Sequence, residues 1–198
     1  MAEVYVGRRF RTVFEERTPV AHPDVPALVA CGRRFAARGL AEENAGYLAV
    51  RTERGMLIKA GGVSLAALSQ ATFAEVMAFD VERFEARVRG AMEPSSETAM
   101  AWGLFHEHPD AGAIVHIHAP APPDPDRLPA GVVATAHEDL YGTREMARSA
   151  LDAFAPGVHT VWLRDHGYVT LAVTLEAAEA RFLAVLAALH PDRAEVWS

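Results

Sequence analysis

Hydrophobic and polar residues are distributed along this chain in segments that predict both helices and strands. Apolar residues at helical spacing predict a helix over about residues 25–38, with Asp24 as its N-cap and Gly39 at its end. Two short β-prone runs, at 47–51 and 55–59, flank a three-residue turn. They predict a hairpin that leads into a glycine loop.

The middle of the chain gives one ambiguous segment and two clear ones. Residues 64–91 fit either one amphipathic helix or two strands, and their periodicity does not decide between the two. Further along, Ser95 or Ser96 is a natural N-cap for a helix that ends before Pro109. The apolar run at 111–119 predicts a buried strand.

The C-terminal third predicts two more helices around a strand pair. The helices cover about 142–154 and 175–189, and the strands lie within 159–174, interrupted by an Asp-His-Gly turn. Four helices mixed with hairpins indicate a layered α+β or α/β fold. At 198 residues we expect a single domain over 1–198, with residues 1–20 as an N-terminal extension.

Composition narrows the functional classes. The formal charge of −7 and the lack of a basic cluster argue against a nucleic-acid partner. No run reaches the roughly 18 apolar residues of a membrane span, and the first 20 residues lack the apolar core of a signal peptide, so we expect a cytoplasmic protein. Cys31, the only cysteine, is predicted to be a core-facing helix residue rather than a nucleophile.

Three histidines and one glutamate form a candidate metal site. His116 and His118 are two positions apart on the predicted strand, so their side chains share one face at a separation of roughly 6–7 Å. His166, beside a glycine in the turn, is the third candidate ligand, and Glu97 could be a fourth ligand or a general base. Three histidines that leave one position open are typical of catalytic Zn²⁺, with Mn²⁺ or Co²⁺ as alternatives.

A second group of residues is a candidate anion site. Ser95 and Ser96 would bring hydroxyl groups to a helix N-terminus, where unpaired N–H groups attract phosphate or carboxylate. Gly61 and Gly62 could add backbone N–H groups, with Lys59 as a nearby cation. The alternative is that the serines only cap the helix.

Taken together, these segments resemble the class II aldolase/adducin family. The resemblance rests on GLAEENAGYLAVR, GMLIKAGG, PSSE, HPDAGAIVHIHA, YGTREMA and DHGYVT, in this order, and it covers about residues 25–190. It implies an α/β fold: a three-layer αβα domain around a mostly antiparallel central sheet, with residues 64–91 as strands. It also implies a homo-oligomer, usually a tetramer, with active sites at subunit interfaces.

The resemblance assigns roles to individual residues. It implies that His116, His118 and His166 are the three zinc-type ligands and that Glu97 is the acid/base carboxylate. The family's sugar-phosphate epimerases carry Asp at the position of Glu97, so the match favours the aldolase branch.

The phosphate loop matches the family only in part. The resemblance implies that Ser95, Ser96 and Gly62 belong to this loop. Family aldolases usually have Asn where this chain has Tyr47, and Thr-Pro-Ser/Thr-Gly where it has Lys-Ala-Gly-Gly at 59–62.

The proton donor is a further departure. The segment between His118 and Gly142 is shorter than usual and lacks the tyrosine that family aldolases use across the subunit interface. Tyr141, His137 and Tyr168 are possible substitutes, and the sequence does not rank them.

Three functions are compatible with these features. The first is a divalent-metal-dependent aldolase, a lyase that acts on a small hydroxy-carbonyl or sugar-phosphate-like substrate through a metal-stabilised enediolate. The second is a related metal-dependent dehydratase, epimerase or decarboxylase. The third is a non-catalytic, adducin-like assembly protein, which would have no need to keep three histidines and the glutamate.

Overall fold

One nine-stranded sheet crosses the computed structural model, which describes residues 8–197. The strand order is β1-β5-β4-β3-β2-β6-β9-β8-β7. The strands are β1 (Arg11–Glu16), β2 (Tyr47–Thr52), β3 (Gly55–Lys59), β4 (Phe73–Asp80), β5 (Glu85–Arg89), β6 (Ala113–Ile117), β7 (Val132–Ala134), β8 (Thr160–Leu163) and β9 (Gly167–Ala172). The β2–β3 and β8–β9 hairpins agree with the sequence prediction.

The main helices also form where the pattern predicts them. They are α1 (Val25–Ala37), α2 (Thr98–Glu107), α3 (Arg144–Ala153) and α4 (Leu175–Leu189), followed by the one-turn helix α5 (Ala194–Trp197). Asp24 is at the N-cap of α1, and Gly39 follows that helix with a φ of +71°. Cys31 is fully buried in α1, as expected of a core residue.

Alternate residues of the strands build two hydrophobic cores, one on each face of the sheet. In β2, Leu48 and Val50 pack in the core that contains α1 and α4. Tyr47 and Ala49 point to the other face and pack in the core that contains α2 and α3. The result is three layers, helices–sheet–helices, and His116 in β6 faces the α2 side because its neighbours Val115 and Ile117 face α1 and α4.

The sheet is mixed, which corrects the expectation of a mostly antiparallel sheet, although most of its strand pairs are antiparallel. The pairs β1–β5 and β7–β8 are parallel and lie at the two edges. In the described chain, the remaining pairs are antiparallel. A parallel neighbour requires a crossover connection, and α3 supplies one between β7 and β8.

The ambiguous segment 64–91 forms strands rather than a helix. Two short 3₁₀ turns, Leu65–Ala67 and Gln70–Thr72, precede β4 and β5. Part of the predicted N-terminal extension, Arg11–Glu16, is the edge strand β1, whereas residues 1–7 lie outside the described chain.

The predicted N-cap of α2 is wrong. Glu97, not Ser95 or Ser96, occupies the cap position, and its side chain makes no capping hydrogen bond. Ser95 instead helps to form the turn before the helix: its carbonyl accepts hydrogen bonds from the backbone N–H and the hydroxyl of Thr98. The helix therefore begins one or two residues later than expected, which brings the Glu97 carboxylate to its N-terminus.

Arg51 ties the other end of α2 to the sheet. Its guanidinium donates hydrogen bonds to the carbonyls of Ala111 (2.9 Å), Phe105 (2.6 Å) and His108 (2.9 Å). The last two carbonyls lie at or just beyond the last turn of α2, where no intrahelical donor remains for them.

We expect Arg51→Met to lower the free energy of unfolding by about 2–4 kcal/mol, because several carbonyls lose charge-assisted hydrogen bonds. Denaturant titration measures the change. The matched control is Arg54→Met in the exposed turn between β2 and β3, which should stay within about 0.5 kcal/mol of the parent. Equal stabilities for the two variants would contradict this role of Arg51.

No helix within residues 8–197 has the length and apolar character of a membrane span.

Candidate metal centre

His116 lies in the middle of the sheet and is completely buried. Its Nδ1 is 2.9 Å from the backbone carbonyl of Tyr168, on the neighbouring strand β9. A carbonyl can only accept, so Nδ1 carries the proton and donates it. In the neutral ring, the lone pair of His116 is therefore on Nε2, which is the tautomer that a metal-ligating histidine needs.

Two glycines allow the backbone to come close to this strand. A Cβ on Gly46, whose φ is +69°, would lie 2.5 Å from the carbonyl oxygen of His116. A Cβ on Gly167 would lie 2.6 Å from the carbonyl oxygen of Ile117. The glycine after His166 thus permits the close approach that the sequence pattern indicated.

The other two histidines complete a cluster with His116. His118 directly follows β6, and His166 is in the turn between β8 and β9. The ring centroids are 5.1 Å apart for His116 and His118, 5.3 Å for His116 and His166, and 4.2 Å for His118 and His166. Burial, together with the two neighbouring imidazoles, lowers the pKa of His118 to about 3, so this ring is neutral at physiological pH.

Glu97 closes the cluster from the α2 side. Its Oε1 is 2.8 Å from Nε2 of His166, and its Oε2 is 3.0 Å from Nε2 of His116. Burial alone would raise the pKa of Glu97, but positive charge on His116 and His166, when these imidazoles are protonated, outweighs burial and lowers that pKa well below its ordinary value. The N-terminus of α2 adds a favourable field, so the carboxylate is ionised.

The cluster fits a divalent cation. The ligand atoms of Glu97, His116, His118 and His166 all lie within 4.8 Å of one another. Although Nε2 of His116 is close to Glu97, the geometry is not that of a hydrogen bond, so this buried nitrogen has no hydrogen-bond partner among the described residues. A buried lone pair without a donor, beside two imidazoles and a carboxylate, is what a nitrogen- and oxygen-ligated ion such as Zn²⁺, Mn²⁺ or Co²⁺ would satisfy.

A cleft of about 610 Å³ opens onto this cluster. The residues that line it include Glu42, Glu43, Asn44, Gly46, Lys59, Gly61, Gly62, Ser95, Ser96, Glu97, His118, Tyr141, Asp165 and His166. The structure therefore brings together, in one cleft, the residues of the predicted anion site and those of the predicted metal site, with His116 buried behind them.

Two of the predicted anion-binding groups already have partners. The amide of Gly61 donates to the carbonyl of Glu93 (3.0 Å), which leaves Gly62, with a φ of +74°, as the exposed turn of the loop. Lys59 is buried, and its ammonium donates to the carbonyls of Asn44 and Val63. Burial lowers the pKa of Lys59 to about 8, although the negative charge of Glu97 offsets part of this lowering.

The serines lie between the cleft and the helix. Ser95 is buried, and its hydroxyl accepts a long hydrogen bond of 3.4 Å from the N–H of Glu97. Ser96 is half-buried at the cleft wall. The amide of Ser95 donates to the carbonyl of Lys59, which holds the serine turn beside the glycine loop.

The three possible proton donors occupy different places. Tyr141 lines the cleft, whereas His137 is exposed and borders a small pocket on another side of His166. The hydroxyl of Tyr168 donates to the carbonyl of Pro120. Tyr47, at the family's Asn position, is fully buried with its ring 5.1 Å from that of His116, and it is not among the residues that line the cleft.

Sequence reasoning missed the carbonyl of Tyr168 as the group that orients His116. Finding it requires the register of β6 against β9, in which Ile117 is opposite Tyr168. The period-two pattern indicates that both segments are strands, but it does not indicate which residues face each other.

A larger open cleft, of about 1110 Å³, lies at the other end of β2. It is bordered by Glu16, residues 18–24, the turn at 52–54 and the start of α4. It contains none of the predicted metal or anion ligands. Although it is larger, we therefore do not assign the proposed chemistry to it.

Comparison with known proteins identifies the family of this chain. Residues 26–122 match the family described as class II aldolase and adducin N-terminal domain. The chain is also 31% identical, over 170 residues, to a 5-methylthioribulose-1-phosphate/5-deoxyribulose-1-phosphate aldolase of Rhodospirillum rubrum, a match that covers 76% of this chain and 72% of that protein. The chain belongs to the class II aldolase and adducin family.

Solved structures of this family have the same fold. L-fuculose 1-phosphate aldolase superposes with a TM-score of 0.67 at 24% identity, over 87% of this chain and 88% of that one. An aldolase II superfamily protein from Pseudomonas syringae superposes with a TM-score of 0.69 at 16% identity, over 87% of this chain and 76% of that one. At these identities the likeness shows the fold, and the chemistry has to be argued from the residues of the cleft.

Proposed function

We propose that this class II aldolase family member is a divalent-metal-dependent aldolase that cleaves a ketose 1-phosphate between the third and fourth carbons. The observation that carries the proposal is the convergence of His116, His118, His166 and Glu97 at the inner end of one cleft. A non-catalytic scaffold has no need of a buried imidazole nitrogen without a hydrogen-bond partner, because such a group destabilises the fold unless a ligand satisfies it.

The substrate class follows from the relatives and from the cleft. The Rhodospirillum rubrum protein and L-fuculose 1-phosphate aldolase are both named for ketose 1-phosphates. In this chain, Ser95, Ser96 and the Gly62 turn line the cleft together with Lys59. We assign the phosphate group to this side, where the serine hydroxyls can donate to its oxygens and the ammonium of Lys59 adds positive charge nearby.

His116, His118 and His166 would hold the ion, with Glu97 as a fourth ligand in the absence of substrate. When bound, a divalent ion supplies Lewis-acid chemistry: it polarises a carbonyl oxygen and offsets negative charge that develops on the substrate. We propose Zn²⁺ as the ion, with Mn²⁺ or Co²⁺ as alternatives.

Glu97 moves the proton at carbon. In the direction of bond formation, its carboxylate takes a proton from the carbon next to the ketone of dihydroxyacetone phosphate, which yields the enediolate nucleophile. In the direction of cleavage, it returns that proton to the same carbon. Its burial keeps it out of bulk water, and its position at the N-terminus of α2 favours the ionised form that accepts a proton.

The wider organisation is part of the same proposal. We propose that the 198 residues form one domain with a short N-terminal extension, assemble as a homo-oligomer, most simply a tetramer, and act in the cytoplasm on a small molecule.

Assay of purified, metal-loaded protein tests this function. We expect 5-deoxyribulose 1-phosphate or L-fuculose 1-phosphate to be cleaved to dihydroxyacetone phosphate and an aldehyde, with activity lost after chelation and restored by Zn²⁺, Mn²⁺ or Co²⁺. The same ketoses without phosphate are the matched control and should react poorly. Metal-loaded protein that cleaves no ketose 1-phosphate would contradict the proposal.

The phosphate assignment has its own variant within this assay. The double variant in which Ser95 and Ser96 are both replaced by Ala should bind the phosphorylated substrate about 1–3 kcal/mol more weakly. The reason is that each hydroxyl would donate a hydrogen bond to a charged group. KM should rise for the phosphorylated ketose and stay unchanged for the unphosphorylated one. An unchanged KM for both would leave the serines with a role in the turn alone.

A further inference from the structure

The proposed reaction needs a second proton site in the cleft, and this inference rests on that proposed function. When a carbon nucleophile adds to an aldehyde, the aldehyde oxygen becomes an alkoxide and takes up a proton. Glu97 cannot give that proton at the same moment, because it has just taken one from carbon on the other side of the forming bond. A protic side chain that lines the cleft can supply that proton.

Tyr141 is a candidate because of where its loop lies. Tyr141 is buried and lines the cleft together with Ser96, Glu97 and His118. The next residue, Gly142, has a φ of +66°, and a Cβ there would lie 2.8 Å from the carbonyl oxygen of Ser96. The Tyr141 loop is thus packed directly against the turn that carries Glu97.

An arginine from the N-terminal segment holds Tyr141 in this place. Nε of Arg9 donates a hydrogen bond of 3.1 Å to the carbonyl of Tyr141, and the guanidinium carbon lies 5.6 Å from the centroid of its ring. A cation at the face of the ring fixes its orientation. It also offsets the negative charge that a phenol acquires when it gives up a proton.

Three other groups of suitable chemistry are less well placed, and the buried phenol of Tyr47 does not line the cleft. Tyr168 donates its hydroxyl to the carbonyl of Pro120 in the opposite core. The ammonium of Lys59 is engaged with two backbone carbonyls. His137 is exposed and does not line the cleft.

We propose that the phenol of Tyr141 is a catalytic acid/base of this reaction, giving its proton to the aldehyde oxygen, and that Arg9 is the residue that positions it. The active site then takes its second proton-transfer group from the same chain as Glu97 and the three histidines. The two arginine contacts also give the N-terminal segment a part in catalysis that its sequence does not indicate.

The protons and electrons of the step balance. Glu97 takes a proton from carbon, and the new carbon–carbon bond forms as the π bond of the aldehyde carbonyl breaks. The electron pair of that π bond goes to the aldehyde oxygen, which takes the phenolic proton of Tyr141. The proton on Glu97 returns to the phenolate through cleft water, so both groups end in their starting states and no oxidant or reductant is consumed.

Tyr141→Phe separates the two proton transfers, because it removes only the hydroxyl. We expect solvent deuterium exchange into dihydroxyacetone phosphate, which needs Glu97 but no aldehyde, to stay within about threefold of the parent rate. Condensation with the aldehyde should fall by about 10²–10⁴-fold, the usual effect of losing a general acid. His106→Ala, at an exposed position in the last turn of α2, is the matched control and should leave both rates unchanged, whereas His137→Ala tests the alternative donor.

Arg9 is tested by the same pair of assays. Arg9→Met should lower the condensation rate about tenfold with exchange unchanged, and Arg9→Lys should recover part of the loss because it keeps the positive charge. If Arg9 only supported the fold, Arg9→Lys would not be expected to recover the condensation rate.

The outcomes distinguish failure of this inference from failure of the proposed function. Parent protein that neither exchanges nor condenses would contradict the aldolase proposal itself. Active parent protein with Tyr141→Phe at the parental condensation rate, or with both of its rates lowered equally, would overturn the role of Tyr141. A loss of condensation in His137→Ala would transfer the role to His137.

Discussion

Glu97→Gln should lose proton abstraction from carbon almost completely while the protein still folds. Glutamine keeps the size of the side chain but has no carboxylate to accept a proton, and loss of a general base typically costs about 10²–10⁴-fold in rate. The side chain lies at the helix N-terminus between two imidazoles, so the substitution removes charge without opening a cavity. The ion should stay bound by the three histidines, although less tightly if the carboxylate is a ligand.

Solvent deuterium exchange into dihydroxyacetone phosphate, followed by NMR, measures this step without an aldehyde partner. The matched control is Glu53→Gln, which removes the same charge from the exposed turn at the far end of β2 and should exchange at the parental rate. Metal content should be measured on both variants, so that a lost ion is not mistaken for a lost base. Exchange at the parental rate in metal-loaded Glu97→Gln would remove Glu97 from the mechanism.

Much of the grouping of the three histidines could be predicted from the sequence, because it follows from two local rules. His116 and His118 share a strand face by the period of two, and His166 is in a turn whose glycine permits close backbone approach. Glu97 is on the same side because α2 packs on the face of the sheet to which His116 points. Only the resemblance, not the periodicity, indicated which elements would meet.

The two edge strands of the sheet could not be predicted from the sequence in the same way. β7 is three residues long, and β1 contains polar residues at exposed positions of an edge strand, so neither has a clear hydrophobic period. Their parallel partners are distant in sequence. The mixed character of the sheet therefore depends on long-range pairing that no local pattern encodes.

Hydrogen bonds to backbone carbonyls account for the other differences at the site. Lys59 and Gly61 look like free anion ligands in the sequence, but in the fold each donates to carbonyls of neighbouring loops. The contact between Arg9 and Tyr141 spans 132 residues of sequence and is equally invisible before folding. Side chains and amides near a cleft first satisfy buried carbonyls, and only the remaining donors are available to a ligand.

Loss of one ligating imidazole should have its largest effect on the affinity for the divalent ion. The parent protein should bind one divalent ion per chain, whereas His116→Ala and His118→Ala should each bind it more than about 100-fold less tightly, since even the loss of an outer partner of a ligand costs 10–100-fold. Because the ion binds the folded state, adding Zn²⁺ to the metal-free parent at 100 times Kd should raise the free energy of unfolding by about 2.7 kcal/mol, and the variants should lack this gain.

Competition with a chromophoric chelator, together with thermal unfolding with and without Zn²⁺, measures both quantities. His106→Ala, at an exposed position in the last turn of α2, is the matched control and should bind and respond like the parent. His116 is the more stringent of the two ligand variants, because its Nε2 is the buried nitrogen with no hydrogen-bond partner and its Nδ1 is already committed to the carbonyl of Tyr168. Parental Zn²⁺ affinity in both His116→Ala and His118→Ala would mean that the ion binds elsewhere, and the cluster would then be a set of buried imidazoles stabilised by Glu97 alone.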